Sequence, residues 1–376
     1  MSFVSFVLNR LWIALRLSEK CPNVRIFVYE FASGGGLTGR KVPASLAREG
    51  SAMRAALVAD LHAIGRHEIV TTADARVARD LPRGVEVVAL PAGDRARETA
   101  LDRLIGGADA VWLIAPETDR CLERLAARVE RQRKPLLGSS ADAIRCASDK
   151  ARLPQRLAAA DVRHPETRRL RRGADPRRIA VRIGYPIVVK PARGAGSHGL
   201  RLARDARELS GAIDAARRST DSGLVVLQPY VRGVAASVSL LANGNDAVAL
   251  TLNAQEIRSR PPFAYRGGET PLDHPLAPRA IAAALDTCRA LPGLRGFVGV
   301  DLVLTGSEAV VIEVNPRLTT AYLGVRAALD ENVAALAFAT CAGALPPAPR
   351  AVRRVRFSAS GRVEVVGSIQ AQRGAA

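Results

Sequence analysis

Apolar residues recur along the chain in two rhythms that alternate. Short continuous apolar runs stand at 24–29, 68–72, 85–90, 110–115 and 135–137. Stretches with apolar residues three and four apart lie between most of them, at 44–64, 95–105 and 117–133. Short apolar runs read as buried strands and the longer spacing as amphipathic helices. Strands alternating with helices predict a doubly wound parallel sheet, so residues 24–149 read as an N-terminal α/β domain. The rhythm then changes. Residues 150–229 predict a helix (151–160), a strand–turn–strand (185–191 and 199–203), a helix (206–218) and a strand (224–228), a small α+β lobe. Residues 230–348 predict a second α+β lobe, with long strands at 236–242, 247–256, 296–304 and 309–314 and helices at 278–290 and 320–343. Residues 349–376 read as a basic tail folded into a hairpin that turns at Ser360 and Gly361. Residues 1–23 precede the first clean strand and read as an extension, consistent with an over-long translation start.

Composition places the chain among globular proteins: 48% hydrophobic and 24% charged over 376 residues, enough for two or three lobes. The apolar stretch 3–17 is interrupted by Asn9 and Arg10 and is short for a membrane span, so neither export nor a membrane partner is expected. Five cysteines, odd in number and without a CxxC, indicate neither zinc nor a disulfide framework; a reducing cytoplasm fits them. The formal net charge of +19 points first to nucleic acid. Its distribution narrows that reading. Residues 151–220 hold 17 basic and 6 acidic side chains, whereas 221–349 hold 9 and 11. Aromatics make up 4%, too few for base-stacking platforms, so a nucleic-acid partner is not expected; the run Arg168-Arg169-Leu170-Arg171-Arg172 keeps the alternative open. An arginine-favouring base composition accounts for most of the excess.

Only five of the 55 basic residues are lysines, and two of these sit where chemistry is expected. Lys190 ends the apolar run IVVK, where a buried ammonium needs an anionic partner. Directly after it comes Gly194-Ala195-Gly196-Ser197-His198-Gly199. The loop satisfies GxGxxG, but the strand pattern LRLA follows it instead of a helix, so it joins two strands as a flap would. Glycines there let backbone amides approach phosphate oxygens. Lys150, in Ser148-Asp149-Lys150, stands at the boundary between lobes. Further on, Asp301 ends one strand and Glu313-Val314-Asn315-Pro316-Arg317 ends the next. Glu313 and Asn315 are two apart and share a strand face. With Asp301 they form a hard-oxygen set suited to Mg²⁺, or Mn²⁺ in its place, and Arg317 can reach a phosphoryl oxygen.

Together these stretches resemble the ATP-grasp superfamily of carboxylate–amine ligases. The resemblance runs through CASDK (146–150), YPIVVKPARGAGSHG (185–199), VVLQPYVRG (225–233), GVDLVL (299–304) and VVIEVNPR (310–317). It implies an ATP-grasp fold in which two α+β lobes sandwich ATP. Lys150 and Lys190 would bind phosphates under the loop Gly194–Gly199. Gln228, Pro229, Tyr230 and Val231 would run along the adenine. Asp301, Glu313 and Asn315 would hold the metal, and Lys190 and Arg317 would be catalytic. One departure stands out: Ala235 lies near where the family carries a ribose-binding glutamate. A narrower resemblance, to the tyramine–L-glutamate ligases of methanofuran biosynthesis, rests on IFVYEFASGGGL (26–37), LAREGSAMRAALVADL (46–61), APETD (115–119) and YRGGET (265–270).

The resemblance implies an ADP-forming ligase, acting through an acyl phosphate, that joins the glutamate γ-carboxyl to tyramine or tyrosine. Other ATP-grasp amino-acid ligases remain the alternative within the class. The expected partners are an amino acid and an amine, and a homodimer is compatible with them. Candidate substrate contacts are Glu30, Ser33, Gly34 and Gly35 at the end of the first strand, where ligands bind in open α/β sheets. Arg258 and Arg266, with Arg260 beside them, could clamp a carboxylate, as could Arg317; a solvated loop is the alternative. Glu117 could meet the amine or cap a helix.

Overall fold

The structure, a computed structural model, describes residues 23–77, 81–171, 173–194, 199–258 and 264–369. The expected extension 1–23 therefore lies outside it apart from Asn23.

The chain begins with β1 (Val24–Glu30), α1 (Ala44–Ala63), β2 (His67–Ala73), β3 (Glu86–Ala89), α2 (Asp94–Gly107), β4 (Ala110–Ile114) and α3 (Cys121–Arg131). The strands form a four-stranded parallel sheet in the order β3-β2-β1-β4. β1 and β4 are buried along nearly their whole length, which explains their unbroken apolar runs. The strand expected at 135–137 is reduced to a single bridge between Leu136 and Val111. Its residues close the sheet edge without extending it.

Next come α4 (Ala141–Ala147), α5 (Leu153–Ala159), β5 (Arg168–Leu170), α6 (Pro176–Ile183), β6 (Ile187–Pro191), β7 (Arg201–Ala203), α7 (Ala206–Arg217) and β8 (Val225–Pro229). Here the sheet is antiparallel, in the order β5-β8-β6-β7. Ile187, Val189, Leu227 and Ala203 pack on α6 and α7 and form this layer's own core. β5 and α6 lie in the arginine-rich connection, where charge masks the apolar pattern.

The remainder holds β9 (Val234–Asn243), β10 (Ala247–Arg258), β11 (Ala264–Thr270), α8 (Ala277–Arg289), β12 (Arg295–Leu304), β13 (Ala309–Asn315), α9 (Ala321–Ala328), α10 (Val333–Cys341), β14 (Arg353–Ser358) and β15 (Val363–Ser368). Its antiparallel sheet has seven strands, β13-β12-β9-β10-β11-β14-β15. The C-terminal hairpin is thus part of the main sheet, because β14 pairs with β11. The single helix expected at 320–343 is two. Leu329 turns extended at the end of α9, and the Asn332 side chain caps α10 by accepting from the Ala335 amide.

One apolar layer joins the N-terminal sheet to the seven-stranded sheet. Ile26 and Val28 of β1 and Leu57 and Leu61 of α1 share a core with Leu241, Phe297, Tyr322 and Val333. Asp60 fixes the contact: its carboxylate accepts from the Tyr322 hydroxyl at 2.5 Å and the Arg326 Nε at 2.8 Å.

Candidate functional site

Between the two antiparallel sheets a cavity of about 140 Å³ opens, lined by Lys150, Lys190, Gly194, Gln255, Asp301 and Glu313 among others. Strand alternation aims these side chains. On β6, Ile187 and Val189 face the core, so Lys190 faces the cleft. Asp301 on β12 stands opposite Glu313 on β13, and Gly299 opposite Asn315. The Asn315 amide donates to Asp301 Oδ2 at 3.0 Å and the Gln255 amide to Oδ1 at 2.9 Å. Lys150 reaches the cleft from the turn after α4. Its backbone amide donates to the Ala192 carbonyl at 3.0 Å, and its Nζ donates to Glu313 Oε1 at 2.7 Å and to the Gly194 carbonyl at 2.8 Å.

The electrostatics follow from packing four charges into one cleft. Burial, then the nearby Lys150 ammonium, pushes Lys190 down to about 8. Burial, then repulsion by Glu313, pushes Asp301 up to about 7, partly offset by the Asn315 and Gln255 hydrogen bonds. Burial alone would raise Glu313, but Lys150 and Lys190 outweigh it and hold this carboxyl below its ordinary value. Two carboxylates that repel one another across one strand pair, with a carboxamide beside them, fit a hard divalent cation. Among the described residues no cluster of three or more His, Cys, Asp and Glu could hold a metal, so the fit rests on Asn315 as third ligand and on substrate oxygens.

Gly194 and Gly199 frame the glycine loop; Ala195, Gly196, Ser197 and His198 lie outside the described residues. Gly199 has φ +77°, and a Cβ there would meet Ser219 and Pro191 at 2.6–3.0 Å, so the loop's end requires glycine. Residues 229–233 cross from β8 to β9, joining the two sheets. At the end of β8 the Gln228 side chain donates to Thr167 Oγ1 at 2.5 Å, and in the crossing the Tyr230 amide donates to the Pro186 carbonyl at 2.9 Å. Both groups are engaged within the fold, and Tyr230 and Val231 keep surface open to solvent. Ala235 lines the cavity, so no carboxylate stands at that point of the wall.

Several of the candidate substrate residues are buried or already paired. Glu30 and Ser33 are buried. The Glu30 carboxylate accepts from the Ala32 and Ser33 amides, closing the turn after β1, and burial raises its pKa. Gly34 and Gly35 are buried within that turn. The end of β1 is therefore folded into a turn. Glu117 is buried at the N-cap position of a short 3-10 turn (Thr118–Arg120), but its carboxylate makes no cap hydrogen bond: Arg317 Nε and Nη2 donate to its two oxygens at 2.8 and 3.0 Å. Arg317, expected near a phosphoryl group, is thereby tied to the N-terminal domain. Arg258 ends β10 half-buried, Arg266 is exposed on β11, and Arg260 lies outside the described residues. Glu269 faces Arg356 across the strand pair.

One cleft residue, Gln255, and one neighbour of Arg317, Glu49, escaped sequence reasoning. Gln255 lies 46 residues from the Asp301 it contacts, and no spacing rule links them. Glu49, close to Arg317, accepts from the Thr320 hydroxyl. It sits in an ordinary amphipathic helix pattern, without a signal of its own.

Residues 147–321 match the ATP-grasp domain and residues 67–144 the pre-ATP-grasp domain. The carbamoyl phosphate synthase large chain of Myxococcus xanthus is 25% identical over 198 residues, 52% of this chain and 18% of that one. The tyramine–L-glutamate ligase of Methanocaldococcus fervens is 28% identical over 218 residues, 58% of this chain and 62% of that one. The chain thus spans about a fifth of the first relative's length and about three fifths of the second's. A putative ATP-grasp superfamily protein from Archaeoglobus fulgidus superposes with a TM-score of 0.65 at 25% identity, covering 89% of this chain and 92% of that one.

Proposed function

The chain carries an ATP-grasp domain behind a pre-ATP-grasp domain, and from that premise we propose that it is an ADP-forming carboxylate–amine ligase. One observation carries the reading: Lys150, Lys190, Asp301, Glu313 and Asn315 converge from two sheets on one cleft. A carboxylate is a poor electrophile. Its oxygen attacks the γ-phosphorus of ATP, the bond to the bridging oxygen breaks, and ADP leaves. The amine then attacks the acyl carbon, the C–N bond forms, phosphate departs, and the amine nitrogen loses a proton. Lys190 binds phosphoryl oxygens as a compact charge, and Lys150 links the glycine loop at Gly194 to Glu313. Asp301, Glu313 and Asn315 would hold Mg²⁺ or Mn²⁺, which would supply charge neutralisation of the phosphates. Arg317 would meet the acid substrate's carboxylate, and Glu117, paired with it, would orient it.

For the substrate pair, the similarity to a tyramine–L-glutamate ligase supports glutamate as acid and tyramine or tyrosine as amine. Such a product belongs to the assembly of a methanofuran-type one-carbon carrier. A screen of acids against amines, read by phosphate release and product mass, tests this. ADP and phosphate should appear only when both partners are present. AMP and pyrophosphate would sink the reading. Lys190→Ala and Glu313→Ala should each abolish turnover while circular dichroism stays unchanged.

A further inference from the structure

We propose a second anion site, for a compact phosphorylated small molecule, in an arginine-lined cleft beside the nucleotide cavity. The cleft has a volume of about 760 Å³, within the range of small-molecule sites, roughly 300–1,000 Å³. Arg145 from α4, Arg156 from α5, Arg169 from β5, and Arg152 and Arg171 from the adjoining turns line it, over a floor at 290–292. The turn after α4 serves both sites: Lys150 lines the nucleotide cavity, while Asp149 and Arg152 line the cleft.

Charge accounting singles this cleft out. Its two carboxylates are already matched. Asp142 pairs with Arg145 at 2.8 Å, and Asp149 lies 3.1 Å from Arg193 and 3.7 Å from Arg152. Among the described residues, Arg156, Arg169 and Arg171 face no carboxylate within ion-pair distance. Here three exposed guanidiniums with no carboxylate partner line one cleft, where a ligand of opposite charge would relieve their mutual repulsion. Guanidinium forks suit phosphate oxygens, which they bind in bidentate fashion. No aromatic side chain lines the cleft, so it offers no platform for a nucleic-acid base.

Inorganic tripolyphosphate is the probe, titrated calorimetrically into the full chain at physiological salt. The nucleotide cavity is first saturated with Mg²⁺ and a non-hydrolysable ATP analogue. One further equivalent of tripolyphosphate should bind. The triple variant Arg156→Ala, Arg169→Ala, Arg171→Ala should weaken that binding by about tenfold or more while leaving analogue affinity unchanged. Arg169→Glu alone, at an exposed position, should weaken it in the same direction if the triple variant folds poorly. The proposal is overturned by no binding beyond the analogue site, by unchanged affinity in both variants, or by tighter binding of single-stranded RNA through the same arginines. Binding that disappears only when Lys190 is replaced would assign the anion to the nucleotide cavity and equally reject a second site.

Discussion

Lys190 and Asp301 bring opposite charges into one cleft, and burial works against both. For Lys190 the sign runs one way. Its folded value, about 8, lies below the ordinary 10.5, so the ligand-free protein sheds this proton before the unfolded chain does. The charged lysine opposes folding below pH 8, and this opposition fades as pH rises from 8 towards 10.5. A bound phosphate favours the ammonium again. Nucleotide binding under the proposed function should therefore take up a proton near pH 8 and weaken above it. Calorimetry at pH 8.5 in two buffers of different ionisation enthalpy measures the uptake directly. Lys190→Arg should abolish it, because arginine stays charged; no uptake in the wild type would show that Lys190 does not meet the phosphates. At this scale the sequence was informative for the lysines because lysine is so scarce here. It was misleading for Glu30, whose place at a strand end does not reveal that the following turn folds over it.

The elements owe their positions to a few close approaches. Gly50 faces Glu30 from α1, and a Cβ there would lie 2.4–2.5 Å from the carboxylate. Gly50→Ala should push α1 off β1 and cost about 1–3 kcal/mol, as overpacking does. Urea denaturation measures the loss, and a midpoint unchanged from wild type would mean that the helix shifts freely. Most elements were legible from periodicity, because strand and helix spacing survive in a buried face. The exceptions have local causes. β5 and α6 lie in arginine-rich sequence with little apolar signal. The break between α9 and α10 depends on the Asn332 cap, which a continuous helical pattern hides.

At the scale of the whole molecule, polar contacts reinforce the apolar layer that joins the N-terminal sheet to the seven-stranded sheet. Glu117 holds Arg317, and Asp60 of α1 holds Tyr322 and Arg326 while its carbonyl accepts from Asn332 at 2.8 Å. Asp60→Ala leaves a buried tyrosine hydroxyl and a guanidinium without their acceptor. The expected loss is about 3–5 kcal/mol, the range for removing one partner of a buried charged pair. Denaturant unfolding followed by far-UV dichroism and by Trp112 fluorescence should show it; an unshifted transition would mean that the apolar layer alone holds the sheets together. Among the described residues no helix is long and apolar enough to cross a membrane.

The sequence by itself determined which residues are chemically apt and which strands carry them, since charge, glycine and two-residue alternation are local properties. Asp301, Glu313 and Asn315 could be grouped because neighbouring strands and shared faces follow from order along the chain. Contacts across long separations were decided only by the tertiary structure. Gln255 meets Asp301 across strands of one sheet, and Lys150 on Glu313, Glu117 on Arg317 and the gathering of arginines beside the cleft arise where separate parts of the fold pack. Burial and opposing charge select those pairings, and neither is defined until the layers have packed.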